Sequence, residues 1–138
     1  MIVLDTNVVS ELMRPVPSDA VVRWVSKQPA ARLFTTTVTQ AEILFGIALL
    51  SDGRRRDALA IAAEQMFAED FLDRILPFDQ AAAQAFAPIA ASRRQDGRPI
   101  ASFDAQIAAI TLSRDAALAT RNISDFEGCG LVLNNPWE

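Results

Sequence analysis

The stretch Met1–Leu12, "MIVLDTNVVSEL", decides how the rest of the chain is read. Ile2–Leu4 has the length and the apolar, β-branched bias of a short buried strand. It stops at Asp5, and Thr6 then leads into a helix-like run over Asn7–Met13, ended before Pro15. A carboxylate between a buried strand and a helix has two readings. It can cap the helix, or it can stand at the carboxyl end of a parallel sheet, where open α/β sheets gather their sites. The second reading requires partners further along the chain.

Working outward, strands and helices keep alternating. Ser18 predicts a capped helix to about Gln28, with Val21, Val22 and Val25 on one face beside Trp24. Leu33–Thr37 reads as a strand. Thr39 opens a helix over Ala41–Leu50, and a second long helix spans about Arg54–Arg74. Its buried stripe should be Leu59, Ala62, Ala63, Met66, Phe67 and Phe71. Ile75–Phe78 is a brief strand. Asp79 caps a helix over Gln80–Gln95 that Pro88 should bend or shorten. Phe103–Ser113 is helical, Ala117–Thr120 is a strand, "RNISDFEG" is a polar loop and Leu131–Leu133 is a last strand. The pattern is α/β, with a mostly parallel central sheet covered on both faces.

Composition narrows the chemistry. A chain of 138 residues, 51% hydrophobic and 22% charged, fits one folded domain. No apolar run reaches the ~20 residues of a membrane span, and no secretory signal is expected. Cys129, the single cysteine, excludes an internal disulfide and a thiolate zinc cage, and fits a cytoplasmic location. The absence of histidine removes Ser-His-Asp and Cys-His triads and His-ligated zinc. Tyrosine is absent too, and Lys27 is the only lysine among 13 basic residues. Gly-rich phosphate-binding loops are missing. A net charge of −4 argues against coating nucleic acid by bulk electrostatics. Carboxylates without imidazole point to hard cations such as Mg²⁺ or Mn²⁺.

Glu42, Asp104, Asn122 and Asp125 share Asp5's setting, near a strand end or a helix start. Each has a structural reading as well. Thr39 and Glu42 fit a capping box, Asp5 and Asp104 fit helix N-termini, and Asp125 fits a turn. As a set they would repel one another unless a divalent cation neutralised them. Such a set, with one or two metals and water, makes a phosphodiester hydrolase that needs no histidine.

Four segments in order, "MIVLDTNVVSEL", "TTTVTQAEILFGIALL", "IASFDAQIAAI" and "ATRNISDFEGCGL", resemble PIN-domain ribonucleases of the VapC/FitB toxin type. The resemblance extends to the closing "NNPW", so residues 1–138 are read as a single PIN-like domain, a three-layer α/β/α sandwich. It implies a Mg²⁺- or Mn²⁺-dependent endoribonuclease toxin of a type II toxin–antitoxin pair. By motif match, Asp5, Glu42 and Asp104 take the three central acidic positions and hold the metal, and Thr6 supports the first. Asp125 is taken as the fourth catalytic carboxylate, and Asn122 as its polar neighbour. Metal-activated water would attack the phosphate in line, leaving a 5′-phosphate and a 3′-hydroxyl. Arg121 is the better candidate RNA contact; Arg54, Arg55, Arg56, Arg93, Arg94 and Arg98 are further candidates for phosphate contact, most of them read as solvated surface. The implied partners are RNA, a VapB-like antitoxin, a second copy in a homodimer, and a larger assembly on DNA.

Two rivals remain. A Mg²⁺-dependent aspartyl-phosphate phosphatase or receiver also has an aspartate after its first strand. The phosphatase needs a second Asp where Asn7 stands, and both need a late lysine that this chain lacks. Alternatively, the fold persists as a catalytically weak protein-binding module, with Asn122 replacing a charge.

Overall fold

In the computed structural model, which describes residues 1–138, Ile2–Leu4 is β1, the middle strand of a five-stranded sheet. The strand order is β3-β2-β1-β4-β5 and every pairing is parallel. The other strands are Leu33–Thr36 (β2), Ile75–Leu76 (β3), Ala117–Ala119 (β4) and Leu133–Asn134 (β5). Ile2 pairs with Leu33 on one side and with Ala117 on the other.

β1 shows why the sheet needs two covers. Side chains alternate along a strand. Val3 belongs to a core cluster with Ile107, Ile110 and Leu118, while Ile2 and Leu4 belong to a second cluster with Val8, Val9, Val21, Phe67 and Phe71. The first cluster is roofed by α5 (Gln80–Gln95) and α6 (Ser102–Ser113). The second is roofed by α1 (Thr6–Leu12), α2 (Asp19–Ser26), α4 (Arg54–Gln65) and the π-helical turn Met66–Asp70. The helix α3 (Thr37–Ala48) gives Val38 to one cluster and Ile43 to the other. This is the α/β/α sandwich expected from the sequence.

Several boundaries differ, each for a local reason. The third helix begins at Thr37, not after Thr39, because the Thr36 hydroxyl accepts the Thr39 amide at 3.0 Å and caps it three residues earlier. Glu42 therefore lies in the second turn, and the Thr39–Glu42 capping box does not form. Ser18 starts α2 without a side-chain cap; its amide instead donates to Glu11 Oε2 at 2.8 Å. Val22 points outward, 41% exposed, so the buried side of α2 is Val21. The long helix after Arg54 stops at Gln65 and passes into the π turn, leaving Ala62 exposed. Pro88 neither breaks nor shortens α5. "RNISDFEG" is not all loop: Ile123–Phe126 forms the short helix α7. No helix is long and apolar enough to cross a membrane.

Candidate active site

The strand order reverses direction between β1 and β4, and crevices open at such switch points beyond the strands' carboxyl ends. Asp5 follows β1 there, and Thr120 follows β4. The two are joined directly. The Thr120 hydroxyl donates to Asp5 Oδ2 at 2.7 Å, and the Asp5 amide donates to the Ala119 carbonyl at 2.9 Å. Asp5 Oδ1 accepts the Thr6 amide at 2.8 Å, so Asp5 also caps α1. Both readings of the opening stretch hold at once. Asp5 is only 4% exposed. Burial raises its pKa, the Thr120 and Thr6 hydrogen bonds oppose the rise, and the charges of Glu42 and Asp125 add to it.

Glu42 reaches the same place from α3. The Thr6 hydroxyl donates to Glu42 Oε1 at 2.9 Å and lies 3.0 Å from the Thr39 hydroxyl. Thr6 has one proton to give, so Thr39 must be the donor to Thr6. A chain of two hydroxyls thus fixes one oxygen of Glu42 and leaves Oε2 without a protein donor. Asp104, in the first turn of α6, closes the far side. Its carboxyl is pushed up to about 6, first by burial, then by the charges of Asp5, Asp125 and Glu42, with Arg93 opposing.

These residues line one open cavity of about 520 Å³, with Thr6, Asn7, Ser10, Glu11, Arg14, Arg121, Asn122 and Trp137. Of the residues expected from the sequence, Asp5, Thr6, Glu42, Asp104, Arg121 and Asn122 are all in this wall. Asp125 is not. It sits exposed on α7 outside the lining, although its charge is felt by both Asp5 and Asp104. Asn122 occupies the wall, and its amide donates to the Thr120 hydroxyl at 3.1 Å.

Donor chemistry is the test of a metal here. Every side chain that could ligate in the wall offers oxygen, and no imidazole or thiolate is present. No group of three acids is close enough together to hold an ion unaided. That combination fits Mg²⁺ or Mn²⁺, hard ions held by one or two carboxylates and otherwise by water and substrate oxygens. A fully closed protein cage is not what the residues offer.

Thr120, Thr39 and Glu11 were not anticipated. Thr120 had a readable signal, a hydroxyl ending β4 as Asp5 ends β1. Thr39 was assigned to a cap and Glu11 was not singled out, and only the tertiary contacts reveal them. Glu11 is buried at the pocket wall. Its carboxyl is held low, first by the Ser18 amide and, against a smaller desolvation, by Arg14 and Arg121. Arg93, read from sequence as a surface cation, is 6% exposed and donates to the carbonyls of Arg98, Asp125 and Glu127. Lys27 caps the end of α2, outside the lining, so the lysine that a phosphatase or receiver requires is missing from this pocket.

The sequence matches the family model described as PIN domain over residues 2–127. It is 38% identical to a Sinorhizobium fredii protein named VapC ribonuclease Y4jK, over 100% of this chain and 99% of that one. It is 36% identical to Toxin FitB of Neisseria gonorrhoeae, over 99% of each chain. Among solved structures, a FitAB complex bound to an IR36 DNA fragment superposes with a TM-score of 0.93 at 36% identity, covering 100% of this chain and 96% of that one. The chain therefore belongs to the PIN-domain family, within the VapC/FitB toxins of toxin–antitoxin systems.

Proposed function

We propose that this chain is a Mg²⁺- or Mn²⁺-dependent endoribonuclease toxin. One observation carries the reading: Asp5, Glu42 and Asp104, from three distant stretches, line a single pocket at the switch point of the sheet. The ribonuclease name of a full-length relative supports it. Asp5, Asp104 and Glu42 would hold the metal. When bound, the ion lowers the pKa of water and neutralises phosphate charge. The protein's part is positioning. Thr120 and the Thr6 amide aim Asp5, and the Thr39–Thr6 relay aims Glu42, whose free Oε2 orients the attacking water. In-line attack by water leaves a 5′-phosphate and a 3′-hydroxyl, with no use of the ribose 2′-hydroxyl as nucleophile. Asp125, outside the wall, acts on the site through its charge.

Two faces of α3 suit two protein partners. Ile43, Gly46, Ile47 and Leu50 line a groove of about 620 Å³ with Met13, Pro15 and Leu59. Their spacing is that of one helix face. The groove shares Thr6, Ser10, Arg14 and Glu42 with the acidic pocket. A VapB-like antitoxin helix lying there would reach the catalytic residues. Leu44, Phe45 and Leu49 are exposed on the outer face and suit a homodimer. The DNA-bound FitAB relative supports an assembly on DNA for this chain as well.

The deciding experiment gives antitoxin-free protein a structured RNA with Mg²⁺ or Mn²⁺. Cleavage should vanish on chelation and in Asp5→Asn, and end-labelling should find 5′-phosphates. Equal cleavage by wild type and Asp5→Asn refutes the assignment. Metal-replete protein that never cleaves would instead favour the binding-module reading, which Asn122 in the wall supports.

A further inference from the structure

Among the 11 residues lining the acidic pocket a single one is hydrophobic, Trp137. A turn built by Asn135 puts it there. Asn135 Oδ1 accepts the Trp137 amide at 3.0 Å, and its carbonyl accepts the Glu138 amide at 3.2 Å. Asn135 Nδ2 also reaches the Arg121 carbonyl at 3.5 Å, and the Arg121 amide donates to Asn7 Oδ1 at 3.3 Å. The loop after β4 and the turn after β5 are thereby tied together at the pocket mouth.

The Arg121 guanidinium lies over the Trp137 ring, with Cζ 5.0 Å from the centroid. Cation–π contact is weak at an exposed site, about 0.5–1 kcal/mol. Arg121 enters none of the four ion pairs of the molecule, and its guanidinium has no hydrogen-bond acceptor. Arg14, the other cation in the wall, is committed to Glu11 at 3.3 Å. So one cation beside the carboxylates is free for an anion, and moving it uncovers an aromatic face. Trp137 packs against the core cluster and is half-buried, which holds that face in place.

We propose that Trp137 and Arg121 form a nucleotide subsite at the pocket mouth: the indole stacks on the base beside the scissile phosphate, and the guanidinium holds that nucleotide's phosphate. The ligand is single-stranded RNA, since a base paired in an A-form helix has no free face to stack. The subsite rests on the reading of the pocket as a ribonuclease centre.

The test measures binding and needs no cleavage. The background is Asp5→Asn with Trp24→Phe, without divalent ions, so Trp137 is the only tryptophan. A short single-stranded oligoribonucleotide should quench its emission. Followed by fluorescence anisotropy of a dye-labelled oligoribonucleotide, which needs no tryptophan, Trp137→Ala should weaken binding about tenfold, while Trp137→Phe, which keeps the packing, should stay within about threefold. An abasic scan of the oligoribonucleotide should find a position costing the Trp137 protein about tenfold and Trp137→Ala nothing further. Arg121→Gln should lower the log–log salt slope by about 0.7, whereas Trp137→Ala leaves the slope unchanged. Unchanged affinity in Trp137→Ala, or abasic losses that simply multiply with it, overturns the proposal. Coupled losses in a parent chain that cleaves no RNA would retain the subsite and refute the nuclease. Cleavage with uncoupled losses would do the reverse.

Discussion

At the scale of single residues, the site is governed by how few protons the hydroxyls have to give. Thr6 spends its proton on Glu42 and must be supplied by Thr39, which is fully buried. Thr6→Val removes the anchor of Glu42 without changing side-chain volume much. Outer-shell supports of this kind cost about 10- to 100-fold in activity or metal affinity when lost. The expected result is a fall of that size in kcat, with KM little changed, measured on a fixed RNA substrate. Asp104 and Asp5 share one direction of pH dependence, since both carboxyls are raised, first by burial. The Asp104 carboxyl is pushed up to about 6 in the fold, from 3.8 for a free aspartate side chain. The folded state therefore binds the extra proton between those limits, and stability falls as pH rises through that window. Above it the cost is constant. In chelator, Asp104→Asn should flatten the decline in Tm between pH 3.8 and pH 6 and melt higher at pH 7. A parallel decline in wild type and Asp104→Asn would assign the effect to other groups. Glu11, with its carboxyl lowered, acts oppositely and loses its contribution below the ordinary carboxylate range.

At the scale of elements, α5 ends where the site's acidic loops must be aligned. Gly97 has φ +71, and the Gly97 and Arg98 amides bond back to Arg94 and Arg93 in a Schellman cap. From the same turn, the buried Arg93 side chain bonds the Arg98 carbonyl at 2.7 Å and the Asp125 and Glu127 carbonyls at 2.7 and 3.0 Å. It clamps the loop entering α6, which bears Asp104, to α7, which bears Asp125. Arg93→Met leaves three carbonyls without this donor and should cost about 3 kcal/mol in urea denaturation. Amide exchange should quicken over residues 121–129, and α1 should be spared. How much of this was legible follows from the range of the forces involved. Ile2–Leu4, Asp79 at the head of α5 and the α/β alternation were readable because strand length, capping and periodicity are local. The start of α3 was misplaced because Thr36 and Thr39 are equally good caps in sequence; the fold engages the Thr39 hydroxyl with Thr6, 33 residues away, and leaves Thr36 to cap the helix. Arg93 was read as a surface charge because its acceptors lie 5, 32 and 34 residues away. The acids Asp5, Glu42 and Asp104 were found through ordered motifs, whereas Thr120 joins the pocket through the neighbouring ends of β1 and β4, and Trp137 through the Asn135 turn after β5.

At the scale of the whole molecule, α3 is the element that separates catalysis from association. One of its faces lines the groove with Ile43, Gly46 and Ile47, joined by Leu50 just past the helix end, and the other exposes Phe45 at 64%, with the C-cap residue Leu49 beside it at 69%. Gly46 has nothing within 4 Å of where a Cβ would stand, so a side chain there enters open groove without a clash. Gly46→Ala should stabilise the chain by roughly 0.5–1 kcal/mol, since an exposed helical glycine gives up that much to alanine. Gly46→Phe should fill the groove and weaken the proposed antitoxin by at least about 2 kcal/mol, roughly 30-fold in affinity. Its RNA cleavage, measured without antitoxin, should match wild type, because Gly46 is outside the acidic pocket. Phe45→Glu places a charge on the outer face instead. It should shift the chain toward monomer in sedimentation and leave antitoxin affinity within about twofold, since the faces are distinct and distant sites are close to additive. If Gly46→Phe bound antitoxin normally while Phe45→Glu lost it, the two faces would have to exchange roles. The groove's shared border with Glu42 would then no longer explain how a bound partner silences the site.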